Sequence, residues 1–560
     1  MAIGDATSGT SLAGQINFQG LGSGTDFGAL IDKLVQVEQG RVTTYQTWKQ
    51  SWLDKNTAFK DLNSKMLTLR TTLQGMDTVG EFLKKSAVSS NTATLTATAG
   101  GDAETGSVSY SVLQLARNKM MVTSSGYATL TQNINTLGTA AKFVYTYKGV
   151  TVSNSVPSTA TLTDLANIIN ANGANNGVRA STLYDGTNYY LQIRGMDTGA
   201  ASSLVISNAT TIPGFGGGNF LTTQNNQDAK FKINGWPLSN AYMSRSTNTV
   251  TDAVTGLTLN LLSSGAGTIT VNTDIDAVVQ NVKTFVNQVN VVRKQIQNLT
   301  KYDSTTKQGS ILTGNYGLQI IGTIMDNITA APGVGFAQGR DLYTSLAPTG
   351  LSTDATQGSP TEGQILLDET VLRNVLASNA ASVGKIFAAQ YVGDTDSGDI
   401  TYNSYISGIT KAGTYDVKYT VAGGKITSAS IGGYATTFNS NSSYLTGGAG
   451  TPISGLVVRV NNLTDGSYAH TVNLRVGKTG ELYNELGDLT NAQTGPLNIL
   501  QTNYQSIADN IQKKIDDENV RIANMAAHLK DQYSKLDALL GQYNQMQTQL
   551  SSQITQLAKS

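Results

Sequence analysis

His470 and His528 are the only histidines in this 560-residue chain, and it contains no cysteine. A multi-histidine or thiolate metal centre, a disulfide and a cysteine nucleophile are therefore excluded. Gly20-Leu21-Gly22-Ser23-Gly24-Thr25-Asp26 precedes a helical pattern, as a phosphate-cradling loop would. It follows no firm strand and lacks a Gly-Lys-Ser/Thr ending, so a joint is the better reading. Asp394-Thr395-Asp396-Ser397-Gly398-Asp399 resembles the opening of a calcium loop. Its twelfth position is Tyr405, where a bidentate glutamate is needed, and a surface turn is expected. Asp516-Asp517-Glu518 offers neighbouring carboxylates, but successive helical residues point in different directions and do not converge. His528 flanks Leu529 on a helical stripe, and no Ser/His/Asp set has a supporting spacing. The residues thus predict a protein that is not an enzyme and needs no cofactor or metal.

Two long amphipathic patterns at opposite ends of the chain carry the stronger signal. Tyr45, Trp48, Trp52, Phe59, Leu62, Met66, Leu69 and Leu73 follow steps of three and four, with Lys55 the one break. Ile522, Met525, Leu529, Tyr533, Leu536, Leu540, Tyr543, Met546, Leu550, Ile554 and Leu557 nearly repeat the pattern. Asp26 supplies a cap and Gly75 a stop for a first helix of roughly 70 Å. Pro496 opens a second that would reach Leu557, roughly 90 Å away. A narrow apolar stripe must be covered, so the two ends are expected to pair with each other or with further copies. The predicted interface is Trp48, Trp52, Phe59, Leu62 and Met66 on the first helix. On the second it is Leu529, Leu536, Leu540, Tyr543 and Leu550. The two tryptophans read as packing anchors rather than a sugar platform. Glu38 and Arg41 fall on the apolar phase, so the first turns are expected to be partly unpaired.

Between these ends the period switches to two and the composition to Gly, Thr, Ser and Asn. The predicted fold class is α+β and multidomain: long terminal helices pair as a coiled-coil or bundle, and β-rich head domains are inserted between them. Residues 1–25 form a flexible segment and 26–83 the first leg helix. A β-rich head part at 84–142 is followed by a β/α unit at 143–212, in which Thr163 caps a short helix. A second β part of the head spans 213–275, and 276–394 returns to the leg with helices near 276–299, 315–329 and 368–388. An inserted β domain covers 395–478. The second coiled-coil helix spans 479–540, and 541–560 is again flexible. Hydrophobic residues make up 39% and charged residues 14%, well under the usual quarter or so. Lys plus Arg and Asp plus Glu balance at 38 each, which argues against nucleic-acid or anionic-membrane partners. No stretch has the roughly 18 apolar residues of a membrane span. The first 25 residues lack a secretory signal pattern, so export by a route without a cleaved signal is expected.

Ile16–Glu38, Gln227–Gly235, Ser246–Leu261, Asp274–Asn290 with Leu299–Asp303, and Arg521–Leu540 resemble, in that order, segments of the bacterial flagellar filament cap (hook-associated protein 2) family. The unit at 143–208 resembles an insert shared with flagellins. The resemblance implies a secreted, extracellular protein delivered by the flagellar type III export apparatus with an export chaperone. It implies a homo-oligomeric ring, a pentamer favoured, at the distal tip of the flagellum. There it would promote flagellin polymerisation and stop flagellin leaking away. The region 395–477 departs from many members. An alternative reading is a surface adhesin whose β domains bind host glycan or protein. A flagellin-related junction subunit and a secreted enzyme are further alternatives, the last disfavoured by the missing catalytic set.

Overall fold

The Asp26 carboxylate accepts the amide of Ala29 at 2.9 Å, and from this cap α1 runs Phe27–Gln74 to its stop at Gly75. The computed structural model describes Gly24 and residues 26–558, except Ser304 and Ser440. The segment expected to be flexible, 1–25, and the glycine-rich run at 20–24 therefore lie, apart from Gly24, outside the described residues. α2 (Val79–Phe82), α3 (Leu162–Ala171), α4 (Ile275–Thr300), α5 (Tyr316–Asp326), α6 (Glu369–Ala388), α7 (Lys478–Leu489) and α8 (Pro496–Leu557) follow. At 1.5 Å per residue α1 is about 72 Å long and α8 about 93 Å. Residues 541–557, expected to be flexible, continue α8 as helix. Thr161, not Thr163, caps α3: Asp164 donates its amide to the Thr161 hydroxyl and accepts the Thr161 amide in return. The spans 26–83 and 479–540, each expected as one helix, are broken: α2 is a separate single turn made by a capping box between Thr78 and Glu81, and α7 is a separate helix that buries Leu482, Leu486 and Leu489 before α8 begins.

The leg is a bundle rather than a pair. Phe59, Leu62, Met66, Leu69 and Leu73 of α1 share one apolar core with Val278, Val282, Phe285 and Val289 of α4. Leu372 and Phe387 of α6, Leu486 of α7 and Leu497 of α8 complete it. Phe387 stacks on Phe82 at 4.6 Å between centroids and meets Phe285 edge-on at 6.1 Å. The α4 stripe supplies a face that neither terminal helix could.

Strand pairing draws the head boundaries differently from the sequence reading. One antiparallel sheet takes its strands in the order Lys85–Ser89, Gly265–Thr273, Gly106–Gln114, Ala229–Ile233, Met243–Arg245. It shares a core with the sheet of Thr249–Val250, Leu257–Leu261 and Leu95–Ala99. This domain is built from two separated stretches of chain. The β/α unit is larger than 143–212, because Met120–Thr123 and Phe220–Gln224 close its four-stranded sheet beside Tyr189–Gly195 and Val178–Tyr184. Met121 and Phe220 belong to its core together with Phe143, Tyr145 and Leu165. The third β domain begins at Gln390 rather than 395, since Gln390–Thr395 pairs with Gly466–Val476 as the first of eight strands in one sheet.

Candidate functional site

The chemistry-bearing residues do not converge. Asp394 is engaged by Arg340 at 3.0 Å and Arg475 at 3.1 Å. Asp399 and Asp396 lie 3.2 and 3.7 Å from the two nitrogens of His470. Glu518 is bonded to Arg521, which with Arg41 holds its carboxyl below the usual range. Asp516 accepts Gln512, and His528 is exposed. Among the described residues no group of three or more His, Asp or Glu side chains is arranged to hold a metal ion.

The terminal helices do come together. α1 and α8 run antiparallel from the leg core to the stacked rings of Phe27 and Tyr533, 5.0 Å apart. At the base, Phe59, Leu62 and Met66 are fully buried. Trp52 meets the ring of Tyr504 edge-on at 5.2 Å, and Phe59 meets the same ring at 5.5 Å. Tyr504 accepts Asn315 at 2.9 Å, which ties the seam to α5, and burial raises its phenol pKa. Higher up, Val42, Ile511, Ile515 and Ile522 form a separate small core flanked by Val35, Tyr45, Trp52 and Ile507.

The phase of this upper seam differs from the one predicted. It passes through Lys49 and Asn56, not through Trp48 and Lys55. Asn56, 3% exposed, donates to Gln505 at 3.0 Å, and Lys49 donates to Gln512 at 2.5 Å, one heptad further on. Trp48 is 47% exposed, with Lys514 5.9 Å from its ring centre. It is therefore not a seam residue: the amide partners on α8 draw polar residues inward, and the helix turns Trp48 out. In the first turns of α1 Leu30, Leu34 and Val37 stay exposed, but the two charges on the apolar phase find partners. Glu38 bonds to Arg521, and Arg41 lies 3.5 Å from Glu518, so the charges on the apolar phase are matched across the seam. Lys49, Asn56, Gln505 and Gln512 escaped the sequence reading of the seam because only apolar residues were counted. Their recurrence on the heptad phase was the available signal.

Beyond Tyr533 most of the apolar stripe of α8 is exposed. Leu529 and Leu540 are half-buried, whereas Leu536, Tyr543, Met546, Leu550, Ile554 and Leu557 are exposed along about 32 Å of helix. They hold the same phase as the seam below, so the face that pairs with α1 continues past the point where α1 begins. The interface predicted from spacing thus divides. Phe59, Leu62 and Met66 are core and Trp52 and Leu529 line the seam. Leu536, Tyr543 and Leu550 lie open, Leu540 is half-covered, and Trp48 is outside the seam.

Comparison with known proteins completes the description. The family described as Flagellar hook-associated protein 2 C-terminus matches residues 226–545, and its N-terminus counterpart matches 23–119. The Flagellin hook IN motif matches 130–195, inside the β/α unit. The A-type flagellar hook-associated protein 2 of Pseudomonas aeruginosa is 27% identical over 420 residues, covering 69% of this chain and 82% of that protein. Flagellar hook-associated protein 2 of Escherichia coli strain K12 is 27% identical over 430 residues, covering 72% and 88%. Among solved structures, the D1-D2-D3 domains of the flagellar cap protein FliD from Escherichia coli align at 24% identity with a TM-score of 0.47. That alignment covers 60% of this chain and 91% of the other.

Proposed function

The chain belongs to the flagellar hook-associated protein 2 family, and on that premise we propose that it caps the flagellar filament, extracellularly, at the distal tip. It is a structural assembly protein and not an enzyme. It promotes flagellin addition and keeps unpolymerised flagellin from escaping. The observation that carries this reading is the open α8 stripe, continuous in phase with the α1 seam. A helix face of that kind binds another helix, and a filament tip offers helices from flagellin or from neighbouring cap subunits. Antiparallel leg helices at one end and β domains at the other suit a subunit that stands on the filament and holds its head outward.

The finer parts of the reading concern partners and route. We infer a homo-oligomeric ring, a pentamer favoured, and delivery by the flagellar export apparatus with an export chaperone. No helix among the described residues is long and apolar enough to cross a membrane. The family match runs through both leg helices and the head, and no observation favours the adhesin alternative. A deletion strain tests the function: it should build hooks, lack filaments and release flagellin into the medium. A deletion strain that swims and fails only to attach to surfaces would overturn the reading. Native mass spectrometry of the purified protein, with cross-linking at filament tips, tests the ring.

A further inference from the structure

The inserted β domain joins the leg through two adjacent chain crossings. Gln390 lies opposite Val476 in register, and the Gly477 amide donates to the Ala389 carbonyl at 2.7 Å. Two crossings side by side make an axis about which a domain can rock. Residues 333–341 add a third point. The Val334 carbonyl accepts the Val476 amide at 3.0 Å. Gly335 follows with a φ of +79° and sits so close to the next strand that a Cβ would lie 2.3 Å from the Leu474 carbonyl oxygen. From the β domain, Arg475 rises to meet this crossing segment and is 3% exposed. Its Nε lies 2.8 Å from Asp341, its Nη2 donates to Asp394 at 3.1 Å, and its guanidinium faces the Phe336 ring at 5.9 Å. Arg340 holds the other side of Asp394 at 3.0 Å. Phe336 belongs to the leg core.

We propose that segment 333–341 is a strap that fixes the angle between the inserted β domain and the leg, with Arg475 as its lock, so that the domain is a rigid outrigger and not a tethered module. The argument rests on burial. Ion pairs at the joint of a freely swinging module lie in water, are screened by salt and hold little. Arg475 is enclosed, and rocking the domain would pull its guanidinium from Asp341 and the Phe336 ring and Arg340 from Asp394 together, leaving the largely buried Asp341 without its cation. Gly335 reinforces this, because only a residue without a side chain lets the strap lie flat on the strand. A rigid outrigger holds its outer surface at one position relative to the leg.

The chain has no cysteine, so two introduced ones can be labelled uniquely. Ser378→Cys on α6 and Ser428→Cys on the β domain, both exposed, would carry spin labels in the full-length protein. Pulsed electron-spin distance measurement should give one narrow distribution. Arg475→Met keeps an apolar stem against Phe336 but removes the charge, and should widen the distribution several-fold with far-ultraviolet circular dichroism unchanged. Gly335→Val, which pushes the strap off the strand while leaving every charged residue of the network in the sequence, should do the same and serves if the first variant fails to fold. A broad distribution in the labelled parent protein, or a narrow one in a folded variant of either kind, would overturn the proposal.

Discussion

Ile515→Asp and Leu550→Asp place the same charge on the same face of α8, in two surroundings. Ile515 is 4% exposed in the small seam core with Val42 and Ile511, whereas Leu550 is 61% exposed on the open stripe. Removing the Ile515 side chain forfeits about 1.5–3 kcal/mol of apolar burial. The carboxylate then sits among Val42, Ile511 and Ile522, which adds about 1–3 kcal/mol more. The upper leg should therefore lose about 3–5 kcal/mol, enough to unpair α1 from α8 above Asn56. Leu550→Asp touches nothing that the fold uses and should change stability by no more than about 0.5 kcal/mol. If the stripe docks on a partner helix, burying Leu550 there is worth about 1.5–3 kcal/mol, so its loss weakens docking about tenfold to a hundredfold. Far-ultraviolet circular dichroism through a urea titration reads the first effect. Flagellin released into the medium by a complemented deletion strain reads the second. Ile515→Asp should give a lower or additional unfolding transition. Leu550→Asp should unfold like the parent, be exported, and still leave flagellin free. Normal filament growth with exported Leu550→Asp would refute the idea that the stripe is the docking face. An unchanged urea midpoint for Ile515→Asp would refute the separate seam core.

Three further outcomes are expected. Arg293 is buried on α4 and donates to the carbonyls of Met325, Asp326 and Gly363, so Arg293→Ala should cost about 3–5 kcal/mol in chemical denaturation by leaving those acceptors unmet. Asp77 is pushed up to about 6 by burial and then by its hydrogen bond to and repulsion from Glu81. Its proton therefore contributes stability that is present below the ordinary carboxylate pKa and lost as pH rises through about 6. Asp77→Asn should raise the melting temperature at neutral pH and flatten its change between pH 7 and pH 5; equal pH dependence in the two proteins would count against it. Replacing residues 395–471 by a short Gly/Ser linker keeps the strap, Arg475 and Asp394 and should leave motility intact. Loss of filaments from a folded, secreted variant would show that the outrigger is part of the cap's working surface.

The ends of the long helices were legible because their causes are local. Asp26 caps α1 through an amide three residues on, Gly75 ends it, and Pro496 stands in the first turn of α8. The alternation along Gly106–Gln114 and Tyr189–Gly195 is legible for the same reason, since it is a property of neighbouring residues. The absence of cysteine and the scarcity of histidine bounded the chemistry without any fold. Which strand closes which sheet was not legible. Met120–Thr123 lies beside Phe220–Gln224 and Tyr189–Gly195 only through pairing across about a hundred residues of chain.

The site itself divides in the same way. Heptad spacing located two stripes and said that each must be covered. It could not decide that the α1 base would meet α4, that Trp48 would face out, or that Lys49 and Asn56 would face in. Those outcomes depend on Gln505 and Gln512, more than four hundred residues distant, which satisfy polar groups that would otherwise be costly to bury. The pairing of Glu38 with Arg521, and the meeting of Arg475 with Asp341 and Phe336, depend on distant residues too. Periodicity and caps act within a turn or two and can be read along the chain. The phase of a seam, the partner of a charge and the closure of a sheet are set by whatever the fold brings within a few ångströms, and only the assembled tertiary structure determines that.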